Sequence, residues 1–220
     1  MPARQPFAPS TRHVQLLRAL IAALAALMVT FSPDHSAAVG LSVFSGWAIA
    51  TAVVLGLGTW MVTPAGQRVL PALLAFAHLF AGMAAGITSL RGPALYFVVI
   101  PVWALVAGAL ETGLGVAQRR RGERIVARDT LTIGVLTLVI GAATLLVPSG
   151  YALDYFIEDA GRTFTLTGEI IAVGLFGGYA AIVAVFLAIA GFSPASPSAA
   201  SAETAAPISG GDPRTSEDRP

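Results

Sequence analysis

Residues 103–148 read WALVAGALETGLGVA, then QRRRGERIVARD, then TLTIGVLTLVIGAATLLVP: two apolar runs on either side of the densest basic cluster in the chain. Five of the thirteen arginines (Arg119, Arg120, Arg121, Arg124 and Arg128) fall in the connector 118–129. In lipid no water satisfies a backbone N–H or C=O, so apolar runs of this length cross only as helices. Two such runs on a tight connector form a hairpin of membrane-spanning helices. The arginines hold that connector, as a topology anchor, on the cytoplasmic side.

The rest of the chain follows the same rule. Of its 220 residues 55% are hydrophobic and 11% charged, and the mean hydropathy is +0.76. Soluble domains carry about 25% charged residues, so this is membrane composition. The net charge of +1 gives nucleic acid no electrostatic footing. With no cysteine and no lysine, disulfides, thiolate chemistry, a Walker A lysine and a Schiff-base lysine are excluded.

Apolar runs predict six transmembrane helices, at about 14–31, 37–62, 69–90, 94–117, 130–147 and 164–190. They lie between a cytoplasmic N-terminal segment, 1–13, and a polar tail, 193–220, that reads as disordered. The fold class is all-α integral membrane, with the domain 14–192 arranged as three helical hairpins. Trp47 and Trp60 are expected one near each interface. The connection 148–163 mixes Tyr151, Tyr155 and Phe156 with Asp154, Glu158 and Asp159, and suits a short element at the membrane surface. Both termini are expected in the cytoplasm, because eleven arginines then lie inside and two, Arg91 and Arg162, outside.

An internal repeat runs through the spans. Trp47-Ala48 and Trp103-Ala104 stand 56 residues apart, each followed by Gly-Leu-Gly, and Gly82 and Gly141 stand 59 apart. The segments WALVAGALETGLGVAQRRR (103–121), IGVLTLVIGAATLLVP (133–148) and GLFGGYAAIVAVFLAIAGF (174–192) resemble the HdeD-type acid-resistance membrane protein family of bacteria. The likeness covers about 16–192 and departs in the first hairpin, the acidic loop 149–163 and the tail. It implies six helices built from repeated hairpins and a stress-linked role in the cytoplasmic membrane, and it brings no catalytic residues with it.

Three ionisable groups fall inside the spans, where charge is costly and such residues face the bundle interior or water. His78 is about 14 Å deep at 1.5 Å per residue, Glu111 lies nearer the cytoplasmic end, and Glu169 nearer the outer end. Gly82 with Gly86, and Gly174 with Gly178, read as helix-packing faces. No catalytic, cofactor or metal site is expected: the three histidines cannot build a metal centre, and no G-x-S-x-G occurs. The expected partners are the lipid bilayer, anionic lipids at the 118–129 connector, and a second copy of the chain. The reading is a non-enzymatic, stress- or acid-resistance-associated membrane protein. The alternative is a proton-coupled small transporter or channel using His78 and Glu111.

Overall fold

The computed structural model describes residues 10–159 and 161–193. Most of the N-terminal segment and all of the tail after residue 193 lie outside the described residues. Six helices are long and apolar enough to cross a membrane: α1 (Thr11–Thr30), α2 (Ala37–Met61), α3 (Val69–Gly86), α4 (Pro93–Arg120), α5 (Arg124–Leu146) and α6 (Gly168–Phe192). A two-stranded antiparallel hairpin, β1 (Ala152–Ile157) and β2 (Arg162–Thr167), fills the long connection before α6. The protein is an all-α membrane protein with that hairpin as its one sheet among the described residues. The bundle end with the Arg-rich connector is termed here the basic face; the β-hairpin stands at the opposite end.

Three helix boundaries depart from expectation, each for a local reason. The connector after α4 shrinks to residues 121–123, where Gly122 takes φ 85° and turns the chain. Arg124 and Arg128 therefore stand on the first turns of α5 instead of in a loop. Helix α3 stops at Gly86, and 88–90 form a single 3-10 turn whose Arg91 Nε donates to Ala85 O at 3.1 Å. Helix α6 starts at Gly168 because residues 162–167 (RTFTLT) alternate β-branched threonines with larger side chains, which favours a strand. Thr167 then caps α6, its hydroxyl accepting from Ile170 N at 3.3 Å.

The closest helix pairs are α4 with α5, α1 with α6 and α2 with α3. Thinner contacts between pairs close the ring, the thinnest being α5 with α6. The sequence repeat explains this arrangement. Gly82 of α3 lies so near α2 that a Cβ there would stand 3.1 Å from Ala48 Cβ; one on Gly141 of α5 would stand 3.0 Å from Ala104 Cβ of α4. The two Trp-Ala dipeptides thus meet equivalent glycines. In the third pair the sizes are exchanged: Phe176-Gly177 occupies the Trp-Ala place, and Gly177 receives Val29 of α1. Each pair is an inward helix with its small-residue partner, so the repeat closes on itself through α6 and α1.

The inward aromatics of these three units meet at the centre. Trp47 and Trp103 pack edge to face with centroids 5.1 Å apart, and Phe176 lies 5.5 Å from both Trp47 and Phe44. Trp47 is 5% exposed, so it is a core residue and not an interfacial anchor. Aromatic edges meeting faces add about 1 kcal/mol per pair beyond burial, and this cluster outweighs any interfacial preference of the indole. Trp60 does sit at the bundle surface, 73% exposed, with Arg68 over its ring at 5.2 Å.

Candidate functional site

A vestibule of about 220 Å³ with mixed polar and apolar walls opens at the basic face between α1, α2, α3, α4 and α5. Gln15, Thr59, Gln118 and Asp129 line its walls, and Arg18 and Glu111 stand along it. Arg18 Nη2 donates to Glu111 Oε1 at 2.9 Å, with the glutamate side chain 3% and the arginine side chain 14% exposed. This ion pair ties α1 to α4 across 93 positions of sequence. A carboxylate this deep is tolerable only with such a partner. The Glu111 carboxylate therefore does not reach the Arg119–Arg121 cluster. Arg121 is instead held by Glu123, Nε to Oε1 at 2.9 Å.

Inward of the vestibule stands His78. Its Nδ1 lies 2.9 Å from Leu74 O, one turn back on α3, and Leu74 itself lines the vestibule. The imidazole is 2% exposed and packs against the indoles of Trp47 and Trp103, each at 5.6 Å. Beyond it Tyr179 shares a 2.8 Å hydrogen bond with Thr137 Oγ1, which donates to Ile133 O. Two buried polar atoms at this level, Thr51 Oγ1 and Trp103 Nε1, have no hydrogen-bond partner among the described residues. Further out the core is apolar and closed: Leu41, Phe44, Tyr96, Ile100 and Phe176 are all 0% exposed.

Glu169 stands apart from the other two ionisable groups. It sits in the first turn of α6, and its Oε2 accepts from Ala37 N at 3.0 Å, at the first residue of α2. A carboxylate there meets the positive ends of two helix dipoles, which is a stabilising place for an anion. The glycine candidates divide. Gly82 and Gly86 face α2, with Ser45 Oγ donating to Gly82 O at 2.7 Å and standing 3.2 Å from where a Gly86 Cβ would be. Gly174 and Gly178 are exposed, and a Cβ on either would meet nothing within 4 Å. They are not the packing face of α6; Gly177 is. The fault in the expectation is one of phase, since a helix carrying three glycines over five residues offers two rival stripes.

Of the connector arginines, Arg121 lines the vestibule, whereas Arg119, Arg124 and Arg128 line a separate cleft on the flank of α4 and α5. Arg120 lies exposed at the end of α4. No group of three or more candidate metal-ligating side chains occurs among the described residues. Arg18 was not among the sequence candidates, although it forms half of the buried pair. Comparison with protein-family models, curated proteins and solved structures gives no match to this chain.

Proposed function

We propose that this chain is a non-enzymatic, multi-pass protein of the cytoplasmic membrane, with both termini cytoplasmic, that serves acid or general stress resistance and moves no solute across the bilayer. One observation carries the reading. Each of the three intramembrane ionisable groups has a protein partner, and the core outward of the vestibule is filled by aromatic and aliphatic side chains. The likeness to HdeD-type proteins supplies the link to stress. The chain reconstituted in liposomes loaded with a pH-sensitive dye is expected to leak protons no faster than empty liposomes after an acid jump. A clear leak that His78→Gln abolishes while the protein still folds would overturn the proposal.

The second reading, a proton-coupled transporter or channel, has one observation in its favour. The vestibule reaches Glu111, His78 lies one turn along α3 from the lining residue Leu74, and Thr51 Oγ1 and Trp103 Nε1 are buried without a hydrogen-bond partner among the described residues. The same dye assay decides between the two.

The arginines support the proposed orientation: most of the described ones lie at the basic face, with Arg91 and Arg162 at the other end. Reporter fusions after Gly66, Gly122 and Ser193 are expected to read cytoplasm, and fusions after Ser36 and Asp159 the exterior. An exterior signal at Gly122 would invert the map.

A further inference from the structure

Two neighbouring concavities lie on the flank formed by α4, α5 and α6. The first is the cleft lined by Arg119, Arg124 and Arg128, with Ala127, Leu131 and Thr132 at its base. Two carboxylates of the basic face are engaged elsewhere, Glu111 with Arg18 and Glu123 with Arg121, while Asp129 stands 3.5 Å from Arg128 of the cleft. Arg119 and Arg124 have no ion pair among the described residues, and the Arg128 side chain is 78% exposed. Two guanidiniums without an ion pair, and a third that is largely exposed and paired with Asp129 only at 3.5 Å, surround one concavity and suit a phosphate.

The second feature is the seam between α5 and α6, the thinnest contact in the ring. It leaves an apolar groove of about 450 Å³ with Val139, Ile140, Leu175 and Tyr179 in its walls and the bare Gly174 and Gly178 along α6. Among the described residues only Tyr179 to Thr137 hydrogen-bonds across it. The groove and the cleft share one helix. Arg128, Thr132, Val135 and Val139 follow each other at three or four residues on α5, and so run along one stripe. Val135 and Val139 are 50% and 57% exposed, on the lipid-facing surface. From Thr132 to Val139 is about 10 Å at 1.5 Å per residue, well within the length of one acyl chain.

We propose that cleft and groove are the two ends of one lipid site: the phosphate of an anionic phospholipid headgroup on Arg119, Arg124 and Arg128, and one of its acyl chains in the α5–α6 groove. The proposal accounts for the thin seam, since a chain completes the packing there. It also accounts for glycine at 174 and 178, where a side chain would fill the space. It rests on the membrane-spanning fold and deepens the partner expected at the connector, independently of any stress role.

The test uses the full chain purified in mild detergent, with phosphatidylglycerol, phosphatidylcholine and inorganic phosphate as probes. Native mass spectrometry is expected to retain phosphatidylglycerol at least tenfold better than phosphatidylcholine, and phosphatidylglycerol is expected to raise the melting temperature. Arg124→Gln with Arg128→Gln should abolish that preference; Arg119, Arg120 and Arg121 remain to anchor topology. Gly178→Leu, at a position with no neighbour within 4 Å, should fold and lose the melting shift while keeping the headgroup arginines. Equal retention of the two lipids, or a preference untouched by the double variant, would overturn the site. So would inorganic phosphate giving the full melting shift alone, or Gly178→Leu acting only by dissolving a dimer.

Discussion

Replacing Glu111 with leucine is expected to cost about 3–5 kcal/mol of stability, because it leaves the Arg18 guanidinium in the bundle without its counter-charge. The Arg18 side chain is 14% exposed toward the vestibule, so the lower end of that range is the expected value. Arg18→Leu should cost a similar amount by stranding a carboxylate that is 3% exposed. The double variant, Arg18→Leu with Glu111→Leu, should recover most of either loss, since a buried pair exchanged for apolar residues of like volume is often neutral. Equilibrium unfolding in mixed micelles measures all three. A double variant that loses the sum of the two singles would show that the groups do not act as a pair, and would return Glu111 to the list of unexplained intramembrane charges.

That pair marks how far the sequence could be read. Six spans were legible because the hydrocarbon layer imposes a length and a composition that no other constraint overrides. Arg18 and Glu111 lie at comparable distances from the basic face, four to seven residues inside their spans, with opposite charges. Depth matching could have paired them. An arginine near a helix terminus more commonly snorkels to the interface, which hides such a pairing in sequence. Trp47 misled for a similar reason: indoles favour interfaces. Its repeat partner Trp103 is the better guide, since equivalent residues of a closed ring face the same centre.

Boundaries were least legible where two local preferences compete. Residues 162–167 are apolar enough to extend α6, yet they pair with β1, Thr165 opposite Asp154 and Phe164 opposite Tyr155. Asp154 accepts from Thr165 Oγ1 at 2.5 Å, and Tyr155 stacks on Phe164 at 6.0 Å. These cross-strand pairs are non-local, and periodicity along one segment does not see them. The seam groove was illegible for a related reason. An exposed glycine and a packed one look alike in sequence, and only the azimuth of α6 in the ring separates Gly177 from Gly174 and Gly178.

Azimuth also sets a large steric effect at the α4–α5 contact. Gly134 of α5 lies against the backbone of α4: a Cβ there would stand 2.6 Å from Thr112 N and 3.0 Å from Thr112 Cα. Backbone atoms cannot rotate aside as a side chain can, so Gly134→Val must push the two helices apart. Overpacking a close contact costs about 1–3 kcal/mol, and with backbone as the neighbour the top of that range is expected. The separation propagates along the pair, because Gly108 meets Leu138 N and Gly115 meets Leu131 N on the same seam. Gly113→Val is the matched control on α4, one residue from Thr112, with nothing within 4 Å of its Cβ position. Valine there should leave unfolding within about 0.5 kcal/mol of the parent, as surface changes usually do. Equal losses for the two variants would mean that glycine's conformational freedom, and not close approach of α4 to α5, is what these positions require.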